Sequence, residues 1–271
     1  MTHIGRQLDA NPTLTARQIK EQNPALLQEV SVRTIQKNIQ KKLEFKKYRA
    51  HKPFVSKAQR KKRLAFARKY STWTVDEWRR VLWTDESAFR VSDTKGKIVW
   101  LRKGSDPYHP KFTAKSTKHP PTLMVWGTFS YGDVAELHVF PKGQSVTKDI
   151  YRSLSDIHLA DCFAATGAEV LQQDGAPCHT AHTIKEWLAA SEVECISDWP
   201  ANSPDISPIE NLWAIVKGKL RNEDTSTLPK LERALRQAWS SIPREMVMKL
   251  ADSLPSRLKE VKKRKGYPIS K

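Results

Sequence analysis

Cysteine is scarce in this chain and badly placed for joint work. Cys162, Cys178 and Cys195 form no CxxC pair, which argues against a disulfide framework and a thiolate zinc site and predicts a reducing, intracellular setting. No apolar run approaches the roughly 18 residues of a membrane helix, and no signal-peptide pattern opens the chain, so a soluble protein without membrane contact is expected. A Walker loop and a GxSxG elbow are also missing, which leaves nucleotide hydrolysis and serine-ester chemistry without a sequence handle. Acidic residues are outnumbered: 29 Asp+Glu against 47 Lys+Arg gives a formal charge of +18. A field of that sign attracts nucleic acid, although a solubilising surface has the same composition.

What is present suggests two units. Nine Trp and 39% hydrophobic residues in 271 suffice for one sizeable core and a small appended domain. Residues 1–42 read as short helices. Thr15 is placed to cap a helix through Ile19 to Gln22, and Ser31 to cap SVRTIQKNIQKK. In that second helix Val32, Ile35 and Ile39 form one buried stripe, leaving Arg33, Thr34, Gln36, Lys37, Asn38 and Lys41 outward. Such side chains suit phosphates and base edges, so a helix-turn-helix with this segment as recognition helix is expected; a small bundle with a solvated polar face is the alternative.

Residues 43–71 are expected to form a basic linker and helix. LEFKKYRAHKP, with Lys46, Lys47 and Arg49, suits an arm along a DNA backbone, and Ser56 caps a helix whose Lys57, Arg60, Lys61, Lys62 and Arg63 form a dense positive face. From residue 72 to 271 the order is RRVLWTDESAFRV, TLMVWGTFS and AELHVFPKG as strands, then alternating helix and strand. This predicts an α/β (α+β) domain, a mixed sheet with helices on both faces. A Lys-, Pro- and His-rich insertion over residues 92–120 separates the first two strands.

Three acids stand out in this second unit. Strand alternation puts Asp85 on one face with Val81, Trp83, Ser87 and Phe89, and turns Glu86 to the other. Asp174 closes the strand EVLQQD ahead of Gly-Ala-Pro, at the carboxyl edge where open sheets bind ligands. Glu210 opens the helix IENLWAIVKGKL. Together they can hold hard divalent cations, since Mg²⁺ takes oxygen ligands and needs few from protein. Each also has a plainer reading: an exposed strand end for Asp85, a turn former for Asp174, and for Glu210 a Ser207-Pro208-Ile209-Glu210 capping box with Pro at the first helical position. His179 and His182, three apart, could share a metal, but with no third nitrogen or thiolate ligand, hydrogen bonding or phosphate contact is favoured over zinc.

The motifs TDES, QQDGAPCHT and WPANSPDISPIENLW together resemble the catalytic core of mariner-superfamily (Tc-type) DNA transposases, and the 35 residues between Asp174 and Glu210 lie close to that family's usual interval. The resemblance runs from about Thr13 to the end. It implies a ribonuclease H-like fold in which Asp85, Asp174 and Glu210 bind two Mg²⁺ (or Mn²⁺), cut transposon ends and join them to target DNA, typically at TA. It also implies a homodimer holding two DNA ends through the insertion at 92–120, and second-shell or DNA-positioning roles for His179 and Asn211. Members usually begin with two helix-turn-helix units; this chain opens in what resembles the second. Partners are then double-stranded DNA, the terminal inverted repeats and a target, with residence in the nucleus also suggested by KKRK at 262–265. A transposon-derived DNA-binding protein without catalytic activity is the competing expectation. A ribonuclease H-type nuclease acting on RNA lacks any RNA-binding module in support.

Overall fold

A computed structural model describes residues 2–45, 55–91 and 120–269. Lys46, Lys47, Arg49 and nearly all of the insertion therefore lie outside the described residues. The chain divides into two compact units, Met1–Phe54 and Val55–Lys271. The division falls ahead of the basic helix assigned to the linker, so that helix is part of the larger unit.

The small unit contains α1 (Thr2–Ala10), α2 (Ala16–Gln22), α3 (Pro24–Leu27) and α4 (Val32–Lys41). α2 starts where Thr15 and Gln18 form a reciprocal capping box, and α4 where the Ser31 hydroxyl accepts the Thr34 N–H. A cap of this kind contributes about 1 kcal/mol. Ile4, Leu8, Ala16, Ile19 and Ile35 are buried together, with Val32 and Ile39 packed at the margin. One stripe of α4 thus faces inward, leaving Arg33, Thr34, Gln36, Lys37 and Lys41 exposed and Asn38 half-buried. Two elements went unassigned in the sequence reading: α1, which supplies Ile4 and Leu8, and the single turn of α3.

The larger unit is built on a five-stranded sheet in the order β3-β2-β1-β4-β5, formed by β1 (Val81–Arg90), β2 (Thr122–Phe129), β3 (His138–Val139), β4 (Val170–Gln172) and β5 (Glu194–Cys195). β1 runs antiparallel to β2 and parallel to β4. Alternation separates two cores. Val81, Trp83 and Phe89 face α5 (Lys57–Lys69), α6 (Val75–Arg79), α10 (Ile209–Lys219), α11 (Leu228–Ser240), α12 (Arg244–Asp252) and α13 (Leu254–Lys263). Leu82 and Trp126 face α7 (Lys148–Thr166), α8 (Pro177–Thr180) and α9 (His182–Ala190). Helices on both faces of a mixed sheet are the layering the element order predicts.

One expectation for α5 fails. Arg63 does not join a positive face: it is fully buried, because it shares a helical stripe with Phe66, Ala67 and Tyr70. Burying a guanidinium needs a matched acceptor. Arg63 finds it in Asp205, whose two carboxylate oxygens accept at 2.8 and 2.6 Å, while Ser203 Oγ and the Gly266 carbonyl accept at 2.8 and 3.0 Å. Helix α5 is thereby fastened to the loop at 202–205.

Candidate active site

Register assembles the site. Trp83 on β1 pairs with Gln172 on the parallel β4. Two residues further along each chain come Asp85, still within β1, and Asp174, two residues past the end of β4, and both line the same cavity. Ile209, Leu212, Trp213 and Val216 pack α10 down on the sheet face that bears Trp83, which brings Glu210, in its first turn, to that cavity as well.

Asp85, Asp174 and Glu210 line one cavity of about 330 Å³, with Thr84, Gln172, Trp199, Asn202, Ser203 and Ser207 among its other walls. Among the described residues the lining includes no Lys or Arg, in a chain of +18. The electrostatic consequence falls on Asp85. Burial, then the charges of Glu86 and Glu210, push its carboxyl up to about 7, against the opposing hydrogen bond from Trp213. Asp174 goes the other way: burial acts to raise it, but the hydrogen bonds from His179 and the Ala176 N–H outweigh that and hold it below the usual carboxylate range.

Neighbouring groups hold both aspartates. Asp85 Oδ2 accepts from the Trp213 indole N–H at 2.9 Å. Asp174 Oδ1 lies 2.7 Å from His179 Nδ1 and accepts the Ala176 N–H at 2.9 Å, so the turn-forming reading of Asp174 and its place at the cavity coexist. His179 Nε2 reaches Glu86 Oε1 at 3.3 Å. Burial alone would lower the His179 pKa; the bonds to Asp174 and Glu86 prevail and lift it to about 10, so the ring is a cation bracketed by two carboxylates. Tyr151 packs on it at 4.2 Å between ring centroids, and the Tyr151 hydroxyl donates to Gln173 Oε1 at 2.7 Å.

The helical pairing of the histidines and the capping expectation change here. His179 and His182 cannot share an ion as one helix face, because α8 ends at Thr180 and His182 opens α9, where it is exposed and pairs with Glu186 at 3.0 Å. The capping box before Glu210 does not form. Pro208 occupies the N-cap place without a side-chain cap bond, and the Ser207 N–H goes to the Ser203 carbonyl at 3.2 Å. Asn211 is absent from the cavity lining; its side-chain oxygen accepts from Arg257 at 2.8 Å. Arg60 stacks on Tyr267, 3.9 Å from guanidinium carbon to ring centroid, while Lys61 is exposed. Glu86 is on the far face as predicted, but its link to His179 was missed, as was the role of Trp213. Trp213 had read only as part of the apolar stripe of α10, though its place one turn after Glu210 was a usable signal.

As a donor set the cavity offers carboxylate and amide oxygens and hydroxyls, the ligands hard divalent cations prefer. Among the described residues no three His, Cys, Asp or Glu side chains are already drawn together as a grip for an ion. Asp85 and Asp174 are each turned to a neighbouring hydrogen-bond donor, as carboxylates that repel one another in a buried site will be.

An acid-lined edge on a mixed sheet of this strand order defines a ribonuclease H-like catalytic fold. Residues 80–232 match the family model described as DDE superfamily endonuclease, and residues 2–72 match one described as transposase. The Tcb1 transposase of Caenorhabditis briggsae is 34% identical over 222 residues, 80% of this chain and 80% of that protein. The Tc1 transposase of Caenorhabditis elegans is 31% identical over 241 residues, 88% and 87% of the two chains. Among solved structures, the Mos1 strand transfer complex superposes with a TM-score of 0.74 at 18% identity, covering 99% of this chain and 78% of that one. The chain belongs to the mariner/Tc1 family of transposases, with a DDE endonuclease domain.

Proposed function

We propose that this chain is a cut-and-paste transposase in which Asp85, Asp174 and Glu210 hold two Mg²⁺ or Mn²⁺ ions. The observation that carries the reading is a cavity lined by three acids and, among the described residues, no basic side chain, in a protein otherwise rich in Lys and Arg. Mos1 transposase, of the same fold, has been solved as a paired-end complex with Mn and with Mg. When bound, such ions activate the attacking water or 3′-hydroxyl and neutralise the leaving oxygen. The chain's own residues then position and confine. His179 and the Ala176 N–H hold Asp174, Trp213 holds Asp85, and the loop at 202–205, locked by Arg63, walls the cavity. The three acids sharing one cavity support catalysis over a DNA-binding role alone.

DNA engagement by the polar face of α4, with Arg33, Thr34, Gln36, Lys37, Asn38 and Lys41, is supported by its charge and polarity; in this proposal the transposon ends are assigned to this unit and a TA target to the larger one. Assembly as a homodimer on two ends is the corresponding proposal, measured by light scattering with end DNA. Residence in the nucleus is read with a fluorescent fusion, and exclusion would refute it. The catalytic reading is tested by cleavage of DNA carrying the flanking inverted repeats. Asp174→Asn is expected to cut roughly 10³-fold more slowly, the several kcal/mol a lost ligand takes from charge stabilisation. Equal cutting by the variant and the parent sinks the assignment.

A further inference from the structure

We propose that Trp213 is a positioning residue for Asp85, its indole N–H fixing the orientation of the carboxylate, and that Gly127 is the notch that lets the ring reach it. The inference rests on Asp85 being a cation ligand, as argued above. Trp213 lies one turn after Glu210 on α10, and its N–H reaches Asp85 Oδ2 across 128 positions of chain at 2.9 Å. A single bond therefore joins the strand bearing one acid to the helix bearing another. An N–H donated to a carboxylate is among the stronger and more directional hydrogen bonds.

The ring has little freedom to go elsewhere. It lies 5.0 Å from Trp239 and 5.9 Å from Phe89, centroid to centroid, the latter edge to face. Beneath it is Gly127, the residue of β2 directly opposite Asp85. A Cβ at Gly127 would fall 2.5 Å from Trp213 Cη2 and 2.8 Å from Trp239 Cη2, inside van der Waals contact. Any larger residue would lift the indole away from the strand. Indole burial alone does not account for the bond, because Trp78, Trp83 and Trp126 are buried with N–H groups that have no partner among the described residues.

Groups that orient a ligand are worth about 10- to 100-fold in metal affinity when removed. Mn²⁺ binding to the full chain, followed by paramagnetic resonance of the free ion, reads this without catalysis. Trp213→Phe keeps an aromatic ring and loses the N–H, and is expected to bind Mn²⁺ about tenfold more weakly. Trp239→Phe makes the same truncation, but its N–H goes to the Ala135 carbonyl at 2.8 Å and not to Asp85; it is expected to match the parent. Asp85→Asn checks the underlying ligand assignment: if it binds like the parent, that assignment fails and the proposal with it. If Asp85→Asn loses the ion while Trp213→Phe matches the parent, or while Trp239→Phe is weakened equally, only the positioning role is overturned. In the unmutated protein, the indole N–H resonance identified by its contact with the Phe89 ring is expected to shift on adding Mg²⁺, whereas those of Trp78 and Trp126 are not. An unmoved Trp213 resonance overturns the proposal even if the variant does not fold.

Discussion

Helices α4 and α5 begin alike and end in different employment. Both start from a serine cap, both carry several Lys and Arg, and both read in one dimension as faces for DNA. In α4 the polar side chains stand outward, and Arg33, Lys37 and Lys41 make no ion pair among the described residues. In α5 two such side chains are spent on the protein itself, Arg63 sunk into a five-acceptor nest and Arg60 lying across Tyr267, while Lys57, Lys61 and Lys62 stay exposed. A basic run is therefore available to a phosphate chain only where its own fold offers no competing acceptor. Arg63 still serves the candidate chemistry, indirectly, since its partners Asn202 and Ser203 line the cavity.

The contrast can be broken most forcefully at Arg63. Removing one partner of a buried pair leaves an uncompensated charge, so Arg63→Ala is expected to cost about 3–5 kcal/mol of stability. Thermal or urea melts measure it, and a loss below about 1 kcal/mol, the level of an exposed pair, would return Arg63 to the surface class.

A smaller effect comes from pH and belongs to the larger unit. Asp85, pushed up to about 7, is protonated in the folded apoprotein over a range where the unfolded chain is ionised. The folded state then binds more protons, so stability falls as pH rises from about 4 to about 7. His179, raised to about 10, is still a cation after its unfolded counterpart has lost its proton, so its contribution is full below about 6.5 and is lost as pH rises toward 10. Both signs agree, and melts in chelator should show falling stability across this span. If Asp85 is a ligand as proposed, it must be ionised to hold a divalent ion, so the rise in melting temperature on adding Mn²⁺ is expected to be larger at pH 8 than at pH 6; the reverse order contradicts the Asp85 assignment.

The smallest change in stability is expected at Lys37→Ala, within about 0.5 kcal/mol, as for other exposed positions. Its effect should appear in DNA binding, weakened across sequences with a salt slope reduced by about one. Arg63→Ala and Lys37→Ala together separate a charge used for folding from one used for binding.

Legibility followed the range of the interaction. The caps at Thr15, Ser31 and Ser56, the stripe of Ile35 and Ile39, and the opposite facing of Asp85 and Glu86 were all readable, because each depends on neighbours within a turn or on strand parity. The burial of Arg63 was not, since its acceptors lie some 140 positions away. The capping box at Ser207 was a sound local signal that lost to a longer-range arrangement, in which Arg63 and Arg257 fasten the preceding loop and Ser207 turns its N–H to Ser203. Similarly, the helical spacing of His179 and His182 is broken at Ala181, where the backbone leaves the helix and frees His179 to bridge Asp174 and Glu86.

By itself, the order of residues singled out, through its motifs, three acids that share one cavity, and, through local periodicity, the faces of Asp85 and Glu86 and the helix that offers its polar side outward. Only the tertiary structure decided what surrounds each acid: the indole on Asp85, the histidine bridging Asp174 to Glu86, and the arginine that shapes the cavity wall. These contacts join elements that meet solely through sheet register and core packing, and no pattern within a few residues encodes such a meeting.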